Sequence, residues 1–367
     1  MKRISVLILF LVACLGCNRN ANKDYEVISF ENIQTKSFND LPNEILKGIE
    51  YIPFSSDSLK YTFSMPQKIL INNERVFIND YSSRNLYSYK FSGTPEFVLN
   101  KRGRAKDEYL QITDFDIDTT GGIWILDGQA DKIVHYTKDG ECLFTSKLPF
   151  QADHIKILGN DRLMFTLAEW DNSKFSDYHI LVTDRNLNIE YSLIRKTESR
   201  DPNFQLVSSS GLHNVNDKIY FHKPISDFVY SIDISDFNNQ MYYFEFGDSK
   251  VPEEARVNTE DYIDSFDKYS TLSSSIFITE KIVAGGILDK MHFSSFIVDR
   301  VNNIKYIQND DFSDMMFFGI SGSMIMYMLR PDSSVYPLYI PETIKTHLDD
   351  GGMVMAIVSL DLIEKSL

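Results

Sequence analysis

Cysteine is nearly missing from this chain: three in 367 residues, two of them, Cys14 and Cys17, close to the N-terminus. Beyond them only Cys142 remains, so no intrachain disulfide can staple the body of the chain, and the fold must stand on its hydrophobic core. With 17 Gly and 11 Pro, collagen-like and low-complexity classes are excluded. Basic charge is in deficit, 37 Lys and Arg against 52 Asp and Glu, for a net −15. That balance argues against nucleic acid as a partner, because a phosphate backbone attracts basic surfaces. Past the N-terminus no apolar run reaches the roughly 18 residues of a membrane span. What the chain does have is 43 % hydrophobic residues, with 26 Phe and 20 Tyr, the composition of a folded, aromatic-rich and β-rich body.

The first residues read as an address. Lys2 and Arg3 precede an almost wholly apolar stretch from Ile4 to Leu15. As a helix that stretch rises only about 18 Å, against a hydrocarbon core of roughly 30 Å, so it suits a signal h-region better than a span. It ends in Leu11-Val12-Ala13-Cys14-Leu15-Gly16-Cys17, with the polar Asn18-Arg19-Asn20 after it. A small residue directly before a cysteine at the end of an h-region resembles a bacterial lipobox, in which the cysteine is lipidated and becomes the first mature residue. We assign the lipidated residue as Cys17, with Cys14 as the alternative register. An ordinary secretory signal that discards both cysteines is the plainer reading. Residues 1–17 are thus a lipoprotein signal peptide, residues 18–48 a tether and polar lead-in, and residues 49–367 the folded domain. The expected location is the cell envelope, with attachment to a membrane by lipid alone, facing periplasm or cell surface.

From residue 49 the chain repeats itself. A short β-rich run such as Val76-Phe77-Ile78-Asn79-Asp80 is followed by a second at Leu86–Phe91 and a third at Glu96–Leu99. The pattern returns at Ile123–Asp127, Ile133–Tyr136 and Cys142–Phe144, and more loosely four more times, opening at 160, 216, 280 and 322. One further strand precedes each unit: 67–71, 112–117, 154–158, 207–212, 272–278 and 315–320. Apolar residues alternate or run in short blocks bounded by Asn, Asp and Gly, which favours strands over helical repeats. Four strands recurring every 40 to 65 residues or so match propeller blades. The last unit lacks its outermost strand, and Ile49–Phe54 stands unclaimed at the other end. The reading is an all-β, six-bladed β-propeller of four-stranded blades, closed by this N-terminal strand in the last blade. A β-sandwich, two stacked barrels or seven blades are less economical.

Several of these segments carry a resemblance: Ile49–Pro53, Val76–Asp80, Lys101-Arg102-Gly103-Arg104 with Glu108-Tyr109, Ile112–Asp118 and Ile123–Asp127. Together they look like the six-bladed β-propeller lipoproteins of Bacteroidota-type Gram-negative bacteria, which are similar to NHL-repeat propellers. The resemblance is sharp over 49–150 and implies a fold and an envelope location rather than an activity. One loop departs from it. The family's Gly-Arg-Gly-Pro-Gly-Glu-Tyr is here Gly103-Arg104-Ala105-Lys106-Asp107-Glu108-Tyr109, without two glycines and the proline.

Candidate site residues follow from chemistry. Arg102 and Arg104, in the one dense basic patch of an acidic chain, suit bidentate capture of a carboxylate or sulfate. The plainer reading pairs them with Asp107, Glu108 or Asp114 as struts between blades. Asp114, Asp116 and Asp118 alternate on a predicted innermost strand, so they share a face toward the central channel, where oxygen ligands could hold a divalent cation. A wet polar channel wall is the plainer reading. Trp170 with Glu169, in a long connection of blade three, suits a sugar ring and its hydroxyls, or else a tryptophan tucked against the next blade. The connection 251–275, with Tyr262, Phe266 and Tyr269 at helical spacing, reads as a short helix on the disc, and 331–352 as a second insertion. No cofactor is identified, and the seven histidines show no zinc-site spacing.

Two functions compete. One is a non-enzymatic binding or scaffolding propeller that presents one face to a protein or glycan partner. The other is a metal-assisted hydrolase or lyase with its site at the channel mouth.

Overall fold

The computed structural model describes residues 24–55, 61–159, 161–196, 211–257, 265–273, 275–290, 292–310, 315–331 and 340–367. They form six sheets, antiparallel but for one added edge strand on each of two, arranged as the blades of a propeller. Blade one is built from Pro66–Asn72, Arg75–Asp80, Asn85–Lys90 and Pro95–Leu99, and successive blades repeat this order from innermost to outermost strand. The second strands are apolar on both faces. Ile123–Asp127, for instance, is buried at every position, because each sheet is covered by a neighbour on either side.

The ring closes as the sequence predicts. Glu50–Phe54 pairs antiparallel with Met353–Ser359, with Ile52 opposite Met355, and becomes the outermost strand of blade six. The turn between the third and fourth strands of blade one meets it: Ser55 N–H donates to the Gly93 carbonyl at 3.1 Å. Gly93 has φ +79°, and a Cβ there would lie 1.7 Å from the Pro53 carbonyl oxygen, so the close approach requires glycine.

The N-terminal segment does more than close one blade. Within the stretch read as a polar lead-in, Tyr25–Ser29 joins the outer edge of blade four, parallel to Asn239–Glu245. Gln34–Ser37 then joins the outer edge of blade five, parallel to Ile304–Asp310. A short helix, Asn43–Lys47, carries the chain on to blade six. The N-terminal segment is therefore a strap around three consecutive blades, and it covers two outer edges that would otherwise be open.

Two strand readings and one helix reading shift. The inner strand of blade four is Leu212–Val215, whereas the sequence reading placed it at 207–212, of which 207–210 lie outside the described residues. The inner strand of blade five is broken into Ser270–Leu272 and Phe277–Ile278, both paired with Ile282–Asp289. In the connection 251–275 the described helical segments are the α-helix Glu253–Val257 and a 3-10 turn, Phe266–Lys268, and Phe266 and Tyr269 pack beside Ile225, Val251 and Ala255. Tyr262 lies outside the described residues. Among the described residues no helix is long and apolar enough to cross a membrane.

Candidate functional site

Blade topology sorts the connections. Turns between first and second strands, and between third and fourth, are short, as at 73–74 and 322–323. The other two kinds emerge on the opposite face and, among the described residues, include the long connections 100–113 and 168–177. Loops displayed on a rigid scaffold are the usual seat of binding.

The loop from Lys101 to Tyr109, between blades one and two, is held tightly despite its altered sequence. Tyr109 is fully buried, and its hydroxyl donates to the Leu99 carbonyl at 2.9 Å. Its backbone N–H donates to the Lys101 carbonyl and its carbonyl accepts from Gly103 N–H, both at 3.0 Å. The Glu108 carboxylate accepts from Ala105 N–H at 2.7 Å and lies so close to Gly103 that a Cβ there would meet it at 1.9 Å. From blade two, the Tyr136 hydroxyl donates to the Asp107 carbonyl at 2.8 Å, and the Lys132 ammonium donates to that of Glu108. Glu108 and Tyr109, the two loop positions that keep the family's residues, thus hold the loop by hydrogen bonds without the two glycines and the proline.

On this loop Arg102 and Arg104 are both exposed, and neither has an ion pair among the described residues. The acids offered as strut partners are engaged elsewhere or exposed beside them: Asp114 binds Lys68, and Glu108 caps the loop. The loop holds the two guanidinium groups out toward solvent.

The row of aspartates is divided. Asp114 lies 2.7 Å from Lys68 of blade one, accepts from Ile155 N–H of blade three at 2.9 Å and has His154 Nδ1 at 3.5 Å. Asp116 lies 2.8 Å from Lys156 and accepts from Ile157 N–H at 2.7 Å. Asp118 turns away into the hairpin, where it accepts from Thr120 and Gly122 N–H at 2.9 Å and from the Trp124 indole at 3.1 Å. All three are buried; the oxygens of Asp114 and Asp116 are engaged by lysines and N–H groups that clamp blades together, and those of Asp118 by groups of its own blade. Among the described residues no group of three His, Cys, Asp or Glu is placed to hold a metal ion. The inner strands leave a channel cavity of about 20 Å³ lined by Lys68, Lys156, His213 and Ser321, room for little more than one water.

Glu169 and Trp170 sit on the same long-loop face, two blades away from the arginines. Glu169 is paired with Lys196 at 3.8 Å and with Lys223, so its charge is committed within the protein. Burial pulls the Lys223 ammonium down to about 8 and pushes the neighbouring Asp153 carboxyl up. Trp170 is half-buried.

Sequence reasoning missed one recurrent device. Asp80, which ends the second strand of blade one, accepts from Ser64 N–H at 3.0 Å and Ser83 N–H at 2.9 Å. Asp127 ends the equivalent strand of blade two and accepts from Leu110 N–H at 2.7 Å. Each aspartate ties the connection that leads into its own blade. The signal was visible in the repeated Ile-Asn-Asp80 and Ile-Leu-Asp127 endings.

Comparison with known proteins agrees with this architecture. The DUF5128 family, described as a 6-bladed beta-propeller, matches residues 17–299. The crystal structure of a Bacteroides fragilis protein described as exported superposes with a TM-score of 0.70 at 16 % identity, covering 91 % of this chain and 99 % of that one. A Bacteroides vulgatus member of the DUF4221 family gives a TM-score of 0.53 at 8 % identity, over 85 % and 99 % of the two chains. No match was found among curated proteins.

Proposed function

Because this chain belongs to the DUF5128 family of six-bladed β-propellers, we propose that it is a non-enzymatic binding propeller of the cell envelope, lipid-anchored at Cys17, that grips an anionic protein or glycan partner. The observation that carries this reading is the pair Arg102 and Arg104, exposed on a loop whose backbone is fixed by both adjoining blades. A loop whose backbone is already fixed loses little backbone freedom on binding, and each guanidinium can grip a carboxylate or sulfate bidentately. The envelope location is supported by the lipobox-like N-terminus, and the similar Bacteroides fragilis protein is itself described as exported.

The test uses Arg102→Ala and Arg104→Ala against a panel of sulfated and carboxylated polysaccharides and cross-linked envelope extract. Each variant is expected to weaken binding of the anionic partner by about 1.5–3 kcal/mol, the range of hydrogen bonds to charged groups, with an unchanged melting temperature. A melting temperature lowered by several degrees with binding intact would make the arginines struts and defeat the proposal.

A further inference from the structure

The N-terminal strap spans the crevice between blades five and six, and beneath it lies an apolar cavity of about 580 Å³. Its floor is formed by Ile297 and Ile307 of blade five and Leu329, Ala356 and Val358 of blade six. Its roof is Phe38, Leu41, Ile45 and Leu46 of the strap. The volume falls within the range of small-molecule sites.

This cavity is built rather than left over. The strap is pinned at both ends, to blade five by Gln34–Ser37 and to blade six by Glu50–Phe54. Between them Ser37 N–H donates to Asp40 Oδ2 at 3.0 Å and Asn39 N–H donates to Ser37 Oγ at 3.2 Å, a reciprocal cap that holds the roof's first turn. The Phe38 ring stands edge-on to Tyr327 of blade six, 6.2 Å between centroids. An apolar space forfeits packing in proportion to its volume, so one this large between rigid sheets favours an apolar occupant.

Charge at the rim defines the other end of that occupant. Lys36 and Asp40 are the charged residues among those lining the cavity. Asp40 is engaged in the cap. The Lys36 ammonium stands 5.9 Å over the Tyr306 ring and has no carboxylate partner among the described residues. We propose that the cavity binds a single-chain amphiphile of the fatty-acid class, its acyl chain under the strap and its carboxylate on Lys36. This site is separate from the Arg102 loop, and its test is independent of the partner proposed there.

The experiment titrates the purified protein with decanoate and with 1-decanol, by calorimetry and native mass spectrometry. Saturable binding of one decanoate per chain is expected. Ala356→Phe, which fills the floor, and Gln308→Trp, which narrows the mouth, should each weaken both ligands at least tenfold; the second keeps the test open if the first does not fold. Lys36→Glu should weaken decanoate at least tenfold and leave 1-decanol within twofold. Absence of saturable binding to the unaltered protein, or wild-type affinity in a folded Gln308→Trp variant, would overturn the site. Equal effects of Lys36→Glu on the two ligands would overturn the placement of the carboxylate.

Discussion

The Lys68 ammonium of blade one lies 2.7 Å from the Asp114 carboxylate of blade two, and both side chains are almost fully buried. Lys68 also donates to the Phe115 carbonyl at 2.9 Å, and Asp114 reaches on to the backbone of blade three. Three inner strands are thus joined through one ion pair. Removing one partner of such a pair leaves the other charge buried and uncompensated, and costs about 3–5 kcal/mol. Lys68→Met should lower stability by that amount in a urea titration at pH 7. Adding Asp114→Asn should restore a good part of it, because the amide oxygen still accepts from Ile155. A loss below about 1 kcal/mol in the single variant would show that the clamp does not hold the disc together.

Acid should unfold the propeller through its buried aspartates. Burial alone would raise Asp80, Asp114 and Asp118, yet all three are held below the usual carboxylate range. Hydrogen bonds outweigh burial at Asp80 and Asp118, and the charge of Lys68 leads at Asp114. A depressed folded value stabilises the fold above the unfolded value of about 3.9 and loses that contribution as pH falls through the lower folded value. The urea midpoint should therefore show little dependence on these groups above about pH 5 and fall steeply below about pH 4. Asp118→Asn should flatten part of that fall; an unchanged slope would remove Asp118 from the account.

Closure of the ring can be separated from the outer wrapping. Ile52 in the closing strand is 3 % exposed, and Ile52→Ala should cost about 2–5 kcal/mol through lost burial and the cavity left behind. Val27, in the strand added to blade four, is 39 % exposed, and Val27→Ala should change stability by less than about 0.5 kcal/mol. Similar costs at the two positions, read from denaturant midpoints, would contradict this division.

Membrane attachment is tested by fractionation. Serine at both Cys14 and Cys17 should release the protein from the membrane fraction or leave it as unprocessed precursor. Cys17→Ser alone should do the same, and Cys14→Ser alone should not. Wild-type membrane yield and processing in the double variant would refute lipid anchoring.

The blades and their closure were legible because both are local or countable. Alternating apolar runs such as Val76–Ile78, ended by Asp and Asn turns, identify strands wherever they occur, and an odd strand at each end implies a shared blade. The strap was not legible. Gln34-Thr35-Lys36-Ser37 has no apolar alternation, since it joins blade five by edge hydrogen bonding and buries little side chain. The arginines could be picked out from their charge, but their exposure depends on Glu108 and Tyr109 folding the loop back on itself. The aspartates show the limit most plainly. Period-two spacing correctly puts Asp114 and Asp116 on one strand face. Their partners, Lys68 and Lys156, are 46 and 40 residues away in sequence, and only the stacking of blades brings them within 3 Å. Composition and periodicity determined the fold, because strand patterns are properties of neighbours along the chain. Tertiary structure alone decided which charges are engaged, which stay free, and where the strap leaves a cavity, because those depend on distances between residues the sequence does not connect.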